Sequence, residues 1–368
     1  MASSHRVRIA SAFGLAGVSA LVVFGFAYRP SLTTAKLAAQ SVLSAQTDLG
    51  SACSPSHACV ASESATTSIL FVGDLMFDRQ VAVYSGSDLT HPFAKIGNVK
   101  DGAFGSVDLA VANVEGPVTA HRVPTYKSIQ FAFDPRIAPV IKAEGFDAVS
   151  QANNHSLDQG RAGATVSRQT LAAAGLSVFG DQIRDDASSS LAYVTVDQHR
   201  IALLGYHTVD RTLDLAAVSS TIAMAKQQAD LVIVFMHWGV EYTPKPRPDQ
   251  VDLAHWFIDH GVDAVIGGHP HWMQTVGVYK GRPIVYSLGN FVFDQDWSYE
   301  TRQGLAVRFD IGPSSRSLTF YPVELTKSQP VVLTGKERDA RLARLASFSD
   351  PVLTQEIEAG RLELPVRE

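Results

Sequence analysis

The stretch Val265-Ile266-Gly267-Gly268-His269-Pro270-His271 joins a short apolar run to two histidines that one proline separates. Alternate residues of an extended segment point the same way, and Pro270 disfavours a helix at this place. Neutral imidazole is a common metal ligand in proteins. The stretch therefore predicts a buried strand that ends at a metal site.

Other segments repeat this arrangement, with a polar and metal-competent side chain directly after an apolar run. Counted together, the candidate metal ligands are Asp74, Glu115, Asn154, His237, His269 and His271. They offer nitrogen and oxygen donors without a thiolate, a set that suits manganese, iron or zinc and argues against a structural zinc site. One ion and two adjacent ions are both compatible with this pattern.

Each candidate ligand also has an ordinary structural alternative. A lone histidine at the end of an apolar run, such as His237, is more often a structural side chain than a catalytic one. An aspartate after glycine, such as Asp74, is a turn residue or a helix cap about as often as a ligand. Asn153-Asn154 is a common turn sequence. The recurrence at several strand ends favours the metal site.

The order of apolar runs and helical patterns predicts an α/β fold. Residues 160–174 and 248–260 have helical spacing of apolar positions, and residues 304–311 and 318–323 alternate like antiparallel strands. In open α/β sheets ligands bind beyond the carboxyl ends of the strands, where the candidate ligands lie. The expected buried strands are residues 68–72, 107–112, 146–150, 231–235, 264–266 and 284–286.

Length and charge narrow the class of protein. The chain has 368 residues, 46% of them hydrophobic, which allows one large domain with appendages. There are 31 basic and 36 acidic residues, and no Lys/Arg block is long enough to follow a phosphate backbone. Nucleic acid is therefore not expected as a partner.

The N-terminal segment predicts membrane attachment. Arg6 and Arg8 precede an almost uncharged run over residues 9–27, longer than the usual signal-peptide core of about 7–15 residues. We interpret it as an uncleaved single-pass anchor that leaves the rest of the chain extracytoplasmic, although Arg29 weakens the charge asymmetry. Cleavage at a downstream small-residue site, which would release a secreted protein, stays open.

Composition suggests four parts: an anchor or signal segment (1–29), a low-complexity linker (30–66), a folded domain (67–327) and a partly helical C-terminal tail (328–368). The linker contains Cys53 and Cys59, which form a small disulfide loop or remain two thiols. No chemistry is expected from the tail.

The order of the motifs resembles the capsule-synthesis CapA family, which is associated with poly-γ-glutamate and lies within the calcineurin-like metallophosphoesterase superfamily. The resemblance covers roughly residues 68–294, over half of the chain. The matching stretches are Gly73-Asp74-Leu75-Met76-Phe77-Asp78-Arg79, Ala112-Asn113-Val114-Glu115-Gly116-Pro117, Ala152-Asn153-Asn154-His155-Ser156-Leu157-Asp158, His237-Trp238-Gly239-Val240-Glu241-Tyr242, Gly268-His269-Pro270-His271 and Tyr286-Ser287-Leu288-Gly289-Asn290-Phe291.

The resemblance implies a four-layer α/β/β/α sandwich of the metallo-dependent phosphatase type, and it implies a role for each candidate residue. Asp74 and His271 would bind a first metal, and Glu115 would bridge to a second. Asn154, His237 and His269 would hold that second ion. His155 would stand beside the site as a proton donor or transition-state stabiliser.

Two departures from the superfamily pattern bear on the metal. Met76 stands where ordinary members have the histidine of Asp-x-His, and a thioether is a soft ligand for manganese or magnesium. The bridging residue is Glu115 in an Asn-x-Glu context rather than an aspartate after glycine. Both departures resemble the CapA branch, and they leave a single stably held ion open.

Two functions are compatible with these residues. In the first, the protein is a metal-dependent hydrolase or transferase that acts on an anionic envelope polymer, such as poly-γ-glutamate, or on its precursor. In the second, it is a non-catalytic accessory that binds the polymer beside membrane synthesis or export proteins. Arg79 would supply charge for a phosphate or carboxylate of the substrate, or would form a structural salt bridge. His155 and the full ligand set favour the first function.

Overall fold

A computed structural model describes residues 66–124, 127–181, 183 and 190–365. The predicted anchor, nearly all of the linker and the pair Cys53 and Cys59 lie outside the described residues. Among the helices that are described, none is both long and apolar enough to cross a membrane.

Within these residues the strands form two sheets of nine and six strands. The order in the first sheet is β14-β13-β12-β1-β2-β3-β4, with β11 paired to β1 and β15 to β13, and the order in the second is β5-β6-β7-β8-β10-β9. The strands are β1 (Thr67–Leu75), β2 (Leu109–Val114), β3 (Ala148–Ser150), β4 (Ser177–Phe179), β5 (Leu191–Val196), β6 (His199–His207), β7 (Leu231–His237), β8 (Ala264–Gly268), β9 (Val276–Tyr279), β10 (Arg282–Val285), β11 (Asn290–Val292), β12 (Gln303–Ile311), β13 (Arg316–Thr326), β14 (Gln329–Val332) and β15 (Arg361–Leu364).

The centre of each sheet is parallel. Strands β1 to β4 pair in parallel in the first sheet, and β6, β7, β8 and β10 do so in the second. Antiparallel strands complete the edges, including the predicted pair β12 and β13. Parallel neighbours end at the same edge, so the residues that follow β1, β2, β3, β7 and β8 are brought towards one another.

Seven α-helices lie among the described residues, and four of them cover the outer faces of the two sheets. The seven helices are α1 (Arg79–Ser85), α2 (Ile137–Ala143), α3 (Gly160–Ala173), α4 (Leu215–Gln228), α5 (Pro248–Asp259), α6 (Gly335–Phe348) and α7 (Thr354–Ala359). Side chains of α2 and α3 pack on one sheet, and those of α4 and α5 pack on the other. A third apolar core lies between the sheets. The layers are therefore α/β/β/α, as predicted.

Alternation along the strands separates the inner core from the outer ones. In β1, Ile69 and Phe71 face the inner core, while Leu70 and Val72 face the helices. Because both faces of a central strand are buried, these strands read as continuous apolar runs. Burying this much apolar surface is the main stabilising contribution to the fold.

Glycines at the end of β8 allow close packing, Gly268 against the other sheet and Gly267 within its own sheet. A Cβ on Gly268 would lie 2.8 Å from Oδ1 of Asp74, and one on Gly267 would lie 2.0 Å from the carbonyl oxygen of Tyr286. Larger residues at these two positions would push β8 away from its neighbours. Gly268, which directly precedes His269, thus also determines the spacing between the two sheets.

The C-terminal segment belongs to the fold more fully than its composition suggests. The helical part of this tail contains α6, and the polar sequence after α6 contains α7 and the strand β15. Apolar side chains of α6, α7 and β15, such as Leu342, Ile357 and Leu362, belong to the core between the sheets. The prolines and charged residues of this segment weaken the local sequence pattern of α7 and β15, which are stabilised by tertiary packing.

Candidate functional site

The structure places the six candidate ligands at one edge of the sandwich. Asp74 and His237 are at the ends of β1 and β7, whereas the other four lie in the loops that follow β2, β3 and β8. Asn154 is partly buried, and the other five are almost fully buried. The side chains involved are Asp74, Glu115, Asn154, His237, His269 and His271.

Three of these side chains form a compact buried cluster. One ligand atom from each of Asp74, Glu115 and His271 lies within 4.8 Å of the others. Nδ1 of His271 is 3.7 Å from Oδ2 of Asp74, and its Nε2 is 3.8 Å from Oε1 of Glu115. These are the residues to which the family resemblance assigns the first metal.

The remaining three lie beside this cluster. Nε2 of His237 is 2.9 Å from Oδ1 of Asn154, and the rings of His237 and His269 are 4.8 Å apart between centroids. Nδ1 of His269 is buried and has no hydrogen-bond partner among the described residues. The three potential ligand groups therefore lie close to one another, and the ring of His269 is 6.1 Å from that of His271 between centroids.

Burial dominates the electrostatics of the carboxyl groups. It raises the pKa of Asp74 to about 6, although hydrogen bonds from Asn113 and from the backbone of His269 act in the opposite direction. Burial raises the pKa of Glu115 well above its usual value, and the neighbouring Asp74 raises it further. Two carboxyl groups so close together and away from water take up a proton unless another positive charge compensates them.

The imidazoles cannot easily provide that charge themselves. Burial, with a smaller effect of the neighbouring histidines, lowers the pKa of His237 well below its usual value. Burial likewise lowers the pKa of His269 to about 4 and that of His271 to about 3. At neutral pH these rings are uncharged, which is the form that binds metal.

The donor set fits a divalent transition metal. Both carboxylate oxygens of Glu115 are buried without a hydrogen-bond partner among the described residues, which is costly unless something else binds them. Neutral imidazole nitrogens and carboxylate oxygens are the ligands that manganese, iron and zinc accept. A cation bound by Glu115 would satisfy both oxygens and offset the charge of Asp74.

Two asparagines that the sequence analysis did not assign hold the ligands in place. Asn113 donates from Nδ2 to Oδ1 of Asp74 at 2.8 Å, and it lies opposite Asp74 in the β1–β2 register. Asn290 accepts at Oδ1 from Nδ1 of His271 at 2.9 Å. Both asparagines stand in stretches that match the family pattern. That position in the sequence was the signal by which they could have been found. Such partners orient ligands and fix the tautomer of a histidine.

A further buried histidine was also missed. His207 ends β6 directly opposite His237 in the parallel register, and both continue the row of side chains that faces the inner core. Burial lowers the pKa of His207 to about 4, and its Nδ1 is 3.5 Å from Oδ1 of Asp210. The sequence pattern that predicted the other candidate ligands is also present here, because an apolar run over residues 201–206 is followed by a histidine.

Met76 is a core residue. Its side chain is fully buried between the first sheet and the helices, and its sulfur accepts a hydrogen bond from the backbone N–H of Asp78 at 3.0 Å. Asp78 in turn caps the N-terminus of α1. The residue that caps a helix in this loop is therefore Asp78, whereas Asp74 belongs to the buried cluster.

His155 lies at the rim of the site with a well-defined partner. Its Nδ1 is 2.7 Å from Oδ2 of Asp158, and its ring packs on Phe131 at 4.4 Å between centroids. Asp158 is buried and also accepts from the backbone of Phe131 and from Nζ of Lys127. An aspartate held by these donors fixes the position of the His155 ring.

Arg79 forms the structural salt bridge that was the alternative to a substrate role. Its guanidinium binds the carboxylate of Asp294 through two nitrogens and lies over the rings of Phe131 and Phe293, at 5.1 and 5.8 Å from their centroids. About a third of the side chain remains exposed, 36% of its surface. The ring of Phe293 is also 4.8 Å from that of His271 between centroids, which places the guanidinium near the cluster.

The fold and the cluster define a four-layer α/β protein with a candidate metal centre at the strand ends. Residues 68–295 match the family described as bacterial capsule synthesis protein PGA_cap, and the chain belongs to this family. The CapA resemblance seen in the motifs is therefore confirmed.

Similar proteins carry related names. The PGA biosynthesis protein CapA of Bacillus subtilis is 28% identical over 317 residues, which cover 80% of this chain and 81% of that protein. The capsule biosynthesis protein CapA of Bacillus anthracis is 28% identical, with 74% and 71% covered. A probable polyglutamine synthesis accessory protein of Mycobacterium tuberculosis is 28% identical, with 52% and 57% covered.

Among solved structures, a hypothetical protein from Thermus thermophilus is similar with a TM-score of 0.41 and 16% identity. The similarity covers 72% of this chain and 96% of that one. A novel phosphatase from Mycoplasma pneumoniae has a TM-score of 0.39 and 12% identity, with 73% and 92% covered.

Proposed function

We propose that this protein is a membrane-anchored, extracytoplasmic, metal-dependent hydrolase or transferase. Its substrate is an anionic capsule polymer of the poly-γ-glutamate type or a phosphorylated precursor of that polymer. The observation that carries the proposal is the buried cluster of Asp74, Glu115 and His271, in which both Glu115 oxygens lack a hydrogen-bond partner among the described residues. Membership of a capsule-synthesis family and the names of the Bacillus relatives support the choice of polymer.

The ligands divide between two adjacent positions. Asp74 and His271 would hold one ion, Asn154, His237 and His269 would hold another, and Glu115 would contact both. A bound manganese, iron or zinc ion supplies Lewis acidity beside the reacting group. The neutral state of the buried histidines at pH 7 supports this assignment, because a protonated ring cannot bind a cation.

His155 is the residue that we assign to proton transfer. Nδ1 donates to Asp158, so the ring is held in one orientation and Nε2 is left to exchange a proton with the leaving group. The side chain is 12% exposed, which is enough for contact with a substrate at the rim. Asp158 acts only through His155 and is a positioning residue.

Arg79 is assigned to the anionic group of the substrate. The salt bridge with Asp294 and the two aromatic rings hold the guanidinium at a fixed place, while its exposed part faces solvent. A pre-oriented guanidinium loses little conformational entropy when it binds phosphate or carboxylate. The structural salt bridge and the substrate role are therefore compatible.

The topology of the proposal rests on residues 1–29. Arg6 and Arg8 before the apolar run favour a short cytoplasmic tail, so the folded part would face the cell envelope. Membrane synthesis or export proteins are the expected partners. Protease protection of a tagged chain in intact cells tests the orientation.

A second candidate function is that of a non-catalytic polymer-binding accessory. The observation in its favour is Met76, which is packed in the core and leaves the first metal position with three side chains from the cluster. A weakly held ion would then serve to bind anionic polymer without turnover. The Mycobacterium relative is named as an accessory protein.

Elemental analysis of the purified full-length chain tests the metal, in parallel with a His237→Ala/His269→Ala variant. We expect near-stoichiometric manganese, iron or zinc that disappears in the double variant. His260→Ala is the matched control, because His260 lies on the surface at the end of α5. Absence of metal after reconstitution would overturn the hydrolase proposal.

Turnover separates the two functions. In the catalytic case, His155→Ala abolishes the change in polymer chain length while metal content and polymer binding persist. In the accessory case, His155→Ala leaves the function of the protein in polymer synthesis unchanged.

A further inference from the structure

A cavity of about 330 Å³ lies directly beyond the ends of β6 and β7. Thr208 and Trp238, which follow His207 and His237 in the chain, form its wall nearest to the metal ligands. The backbone N–H of Thr208 donates to the carbonyl of His237 at 3.1 Å, so this wall is one residue away from a proposed ligand. The function assigned above uses none of the residues that line this cavity.

One polar group in the wall lacks a partner among the described residues. Gln250 is 3% exposed, and its Oε1 accepts a hydrogen bond from the backbone N–H of Arg247 at 2.9 Å. Because this bond requires oxygen at that position, the orientation of the amide is determined. Nε2 is then left as a buried donor for which the described residues supply no acceptor. A buried amide N–H in this state requires an acceptor from elsewhere.

The surroundings of Gln250 favour a negatively charged acceptor. Arg211 and Arg247 line the cavity, and the N-termini of α4 and α5 begin at its edge. Helix N-termini carry partial positive charge and exposed N–H groups. The side chain of Asp214 already caps two N–H groups of α4. In the first turn of α5, Pro248 has no N–H and the N–H of Gln250 bonds the carbonyl of Arg247, so the N–H of Asp249 is the group that this helix offers.

One acidic side chain also lines the cavity and opposes this potential. Asp249 accepts from Nε of Arg247 at 2.9 Å, and both side chains are mostly exposed, at 66% and 59%. An exposed ion pair of this kind is weak and easily exchanged. A ligand carboxylate can therefore compete for the guanidinium of Arg247.

The cavity suits a carboxylate that stands beside methylene groups of a chain. Guanidinium and amide N–H groups in one wall match the two planar oxygens of a carboxylate. Leu213 and Leu253 form apolar walls suited to methylene groups. Trp238 is fully buried, with its indole N–H bound to the carbonyl of Tyr286, and supports these walls from within.

We propose that this cavity is a carboxylate-binding subsite, which holds a pendant carboxylate of a polyanionic chain while a neighbouring segment of that chain reaches the metal cluster. Gln250 and Arg247 are its principal donors. The inference rests on the proposed function, because it specifies how the same site recognises its polymer.

Equilibrium binding of a fluorescent γ-linked glutamate oligomer to the full-length protein tests the subsite. Gln250→Leu and Arg247→Ala are each expected to weaken binding at least about tenfold, the loss of one hydrogen bond to a charged group. Arg361→Ala is the matched control, because Arg361 forms a similar exposed pair with Glu363 two residues along the chain. This control should bind like the unchanged protein.

A second kind of variant is expected to gain affinity, a result that damage to the fold would not produce. Asp249→Asn removes the competing carboxylate from an exposed position and should tighten binding up to about fivefold. A γ-linked isoglutamine oligomer, in which each free α-carboxyl is replaced by an uncharged amide, should bind weakly and should not distinguish Asp249→Asn from the unchanged protein.

Metal content and turnover, measured on the same samples, distinguish failure of the subsite from failure of the proposed hydrolase function. If Gln250→Leu and Asp249→Asn both bind the glutamate oligomer with unchanged affinity, the subsite is wrong, and metal-dependent turnover still decides the proposed function. Failure of the unchanged protein to bind the oligomer also overturns the subsite. If the variants shift affinity as expected but the protein holds no metal, the subsite stands and the hydrolase proposal fails.

Discussion

Oδ1 of Asn290 accepts a hydrogen bond from Nδ1 of His271 at 2.9 Å, and this determines which nitrogen of His271 carries the proton. The amide nitrogen of Asn290 donates to Oε1 of Gln295 and to the carbonyl of Thr301, so its oxygen must be the acceptor. Nε2 of His271 is therefore unprotonated and directed towards Glu115.

Removing this acceptor should weaken metal binding. We expect Asn290→Leu to lower metal affinity about 10–100-fold, as is usual for loss of a partner of a ligating histidine. Asn290→Asp retains an acceptor and should recover most of the affinity. Competition with a fluorescent chelator measures both variants. Equal losses in both variants would indicate general damage to the fold.

Glu115 should destabilise the metal-free protein and stabilise the metal-bound one. Its oxygens are buried without partners among the described residues, and burial with Asp74 nearby raises its pKa. We expect Glu115→Gln to raise the melting temperature after chelation and to abolish the increase that added metal produces. Thermal unfolding with and without manganese or zinc checks this. A lower melting temperature of the chelated variant would contradict our view of the unpartnered carboxylate.

The metal-free protein should lose stability as the pH falls from 6.5 to 5. Burial lowers the pKa of His207 and of His269 to about 4 and that of His271 to about 3 in the folded state, and the pKa of His237 is lowered as well. Between these values and 6.5 the unfolded chain binds more protons, so acidification favours unfolding.

The carboxyl groups act in the opposite direction over the same range. The pKa values of Asp74 and Glu115 are raised, so the folded state binds these protons more tightly and gains stability on acidification. Four histidines outnumber two carboxyl groups, and the net effect is destabilising. Melting curves of chelated protein at several pH values test this, and His207→Gln should reduce the slope by about one proton. A melting temperature that rises between pH 6.5 and 5 would show that the carboxyl groups dominate.

Loss of His155 should affect turnover without affecting metal. We expect His155→Gln to reduce hydrolysis of an aryl phosphate ester by about 10²–10⁴-fold, the usual contribution of a proton-transfer residue. Asp158→Asn should cause a smaller decrease, because it only alters the orientation of the ring. Elemental analysis provides the control, since metal content should equal that of the unchanged protein. Turnover that is insensitive to His155→Gln would remove this residue from the mechanism.

Arg79 should matter for substrate affinity more than for the rate of the chemical step. Lysine at this position keeps the charge but loses the two-pronged contact with Asp294 and the planar stacking on Phe131. We therefore expect Arg79→Lys to raise KM for an anionic ester several-fold with a smaller change in kcat. Arg136→Lys, which changes an exposed arginine paired with Asp134, is the matched control. A fall in kcat at constant KM would indicate a role in the transition state instead.

Parts of the fold were predictable because elements that are buried on both faces have a simple apolar sequence pattern. β1, β2, β7 and β8 are covered on both faces, so each is an unbroken apolar run, and the helix α5 begins at a proline with an acidic first turn. Elements at the edges left a weaker trace. β15 alternates exposed and buried residues over only four positions and depends on pairing with β13.

The candidate ligands were predictable for a related reason. Asp74, Glu115 and His271 are polar residues at the ends of apolar runs, where a structural role alone is costly. Asn113, Asn290 and His207 were not assigned, because an amide or a single histidine at a strand end has many ordinary uses. Their contribution became visible only as hydrogen bonds and register across the sheet.

The sequence by itself determined the α/β class, the family and the chemical types of the ligands, since these depend on local patterns of burial and on residue identity. Only the tertiary structure decided which candidate ligands meet, which nitrogen of His271 faces Glu115, and that Met76 packs in the core. Those facts depend on the register between strands far apart in the chain and on the close approach that Gly267 and Gly268 allow. Contacts of this kind arise when the two sheets pack, and no local stretch of sequence encodes them alone.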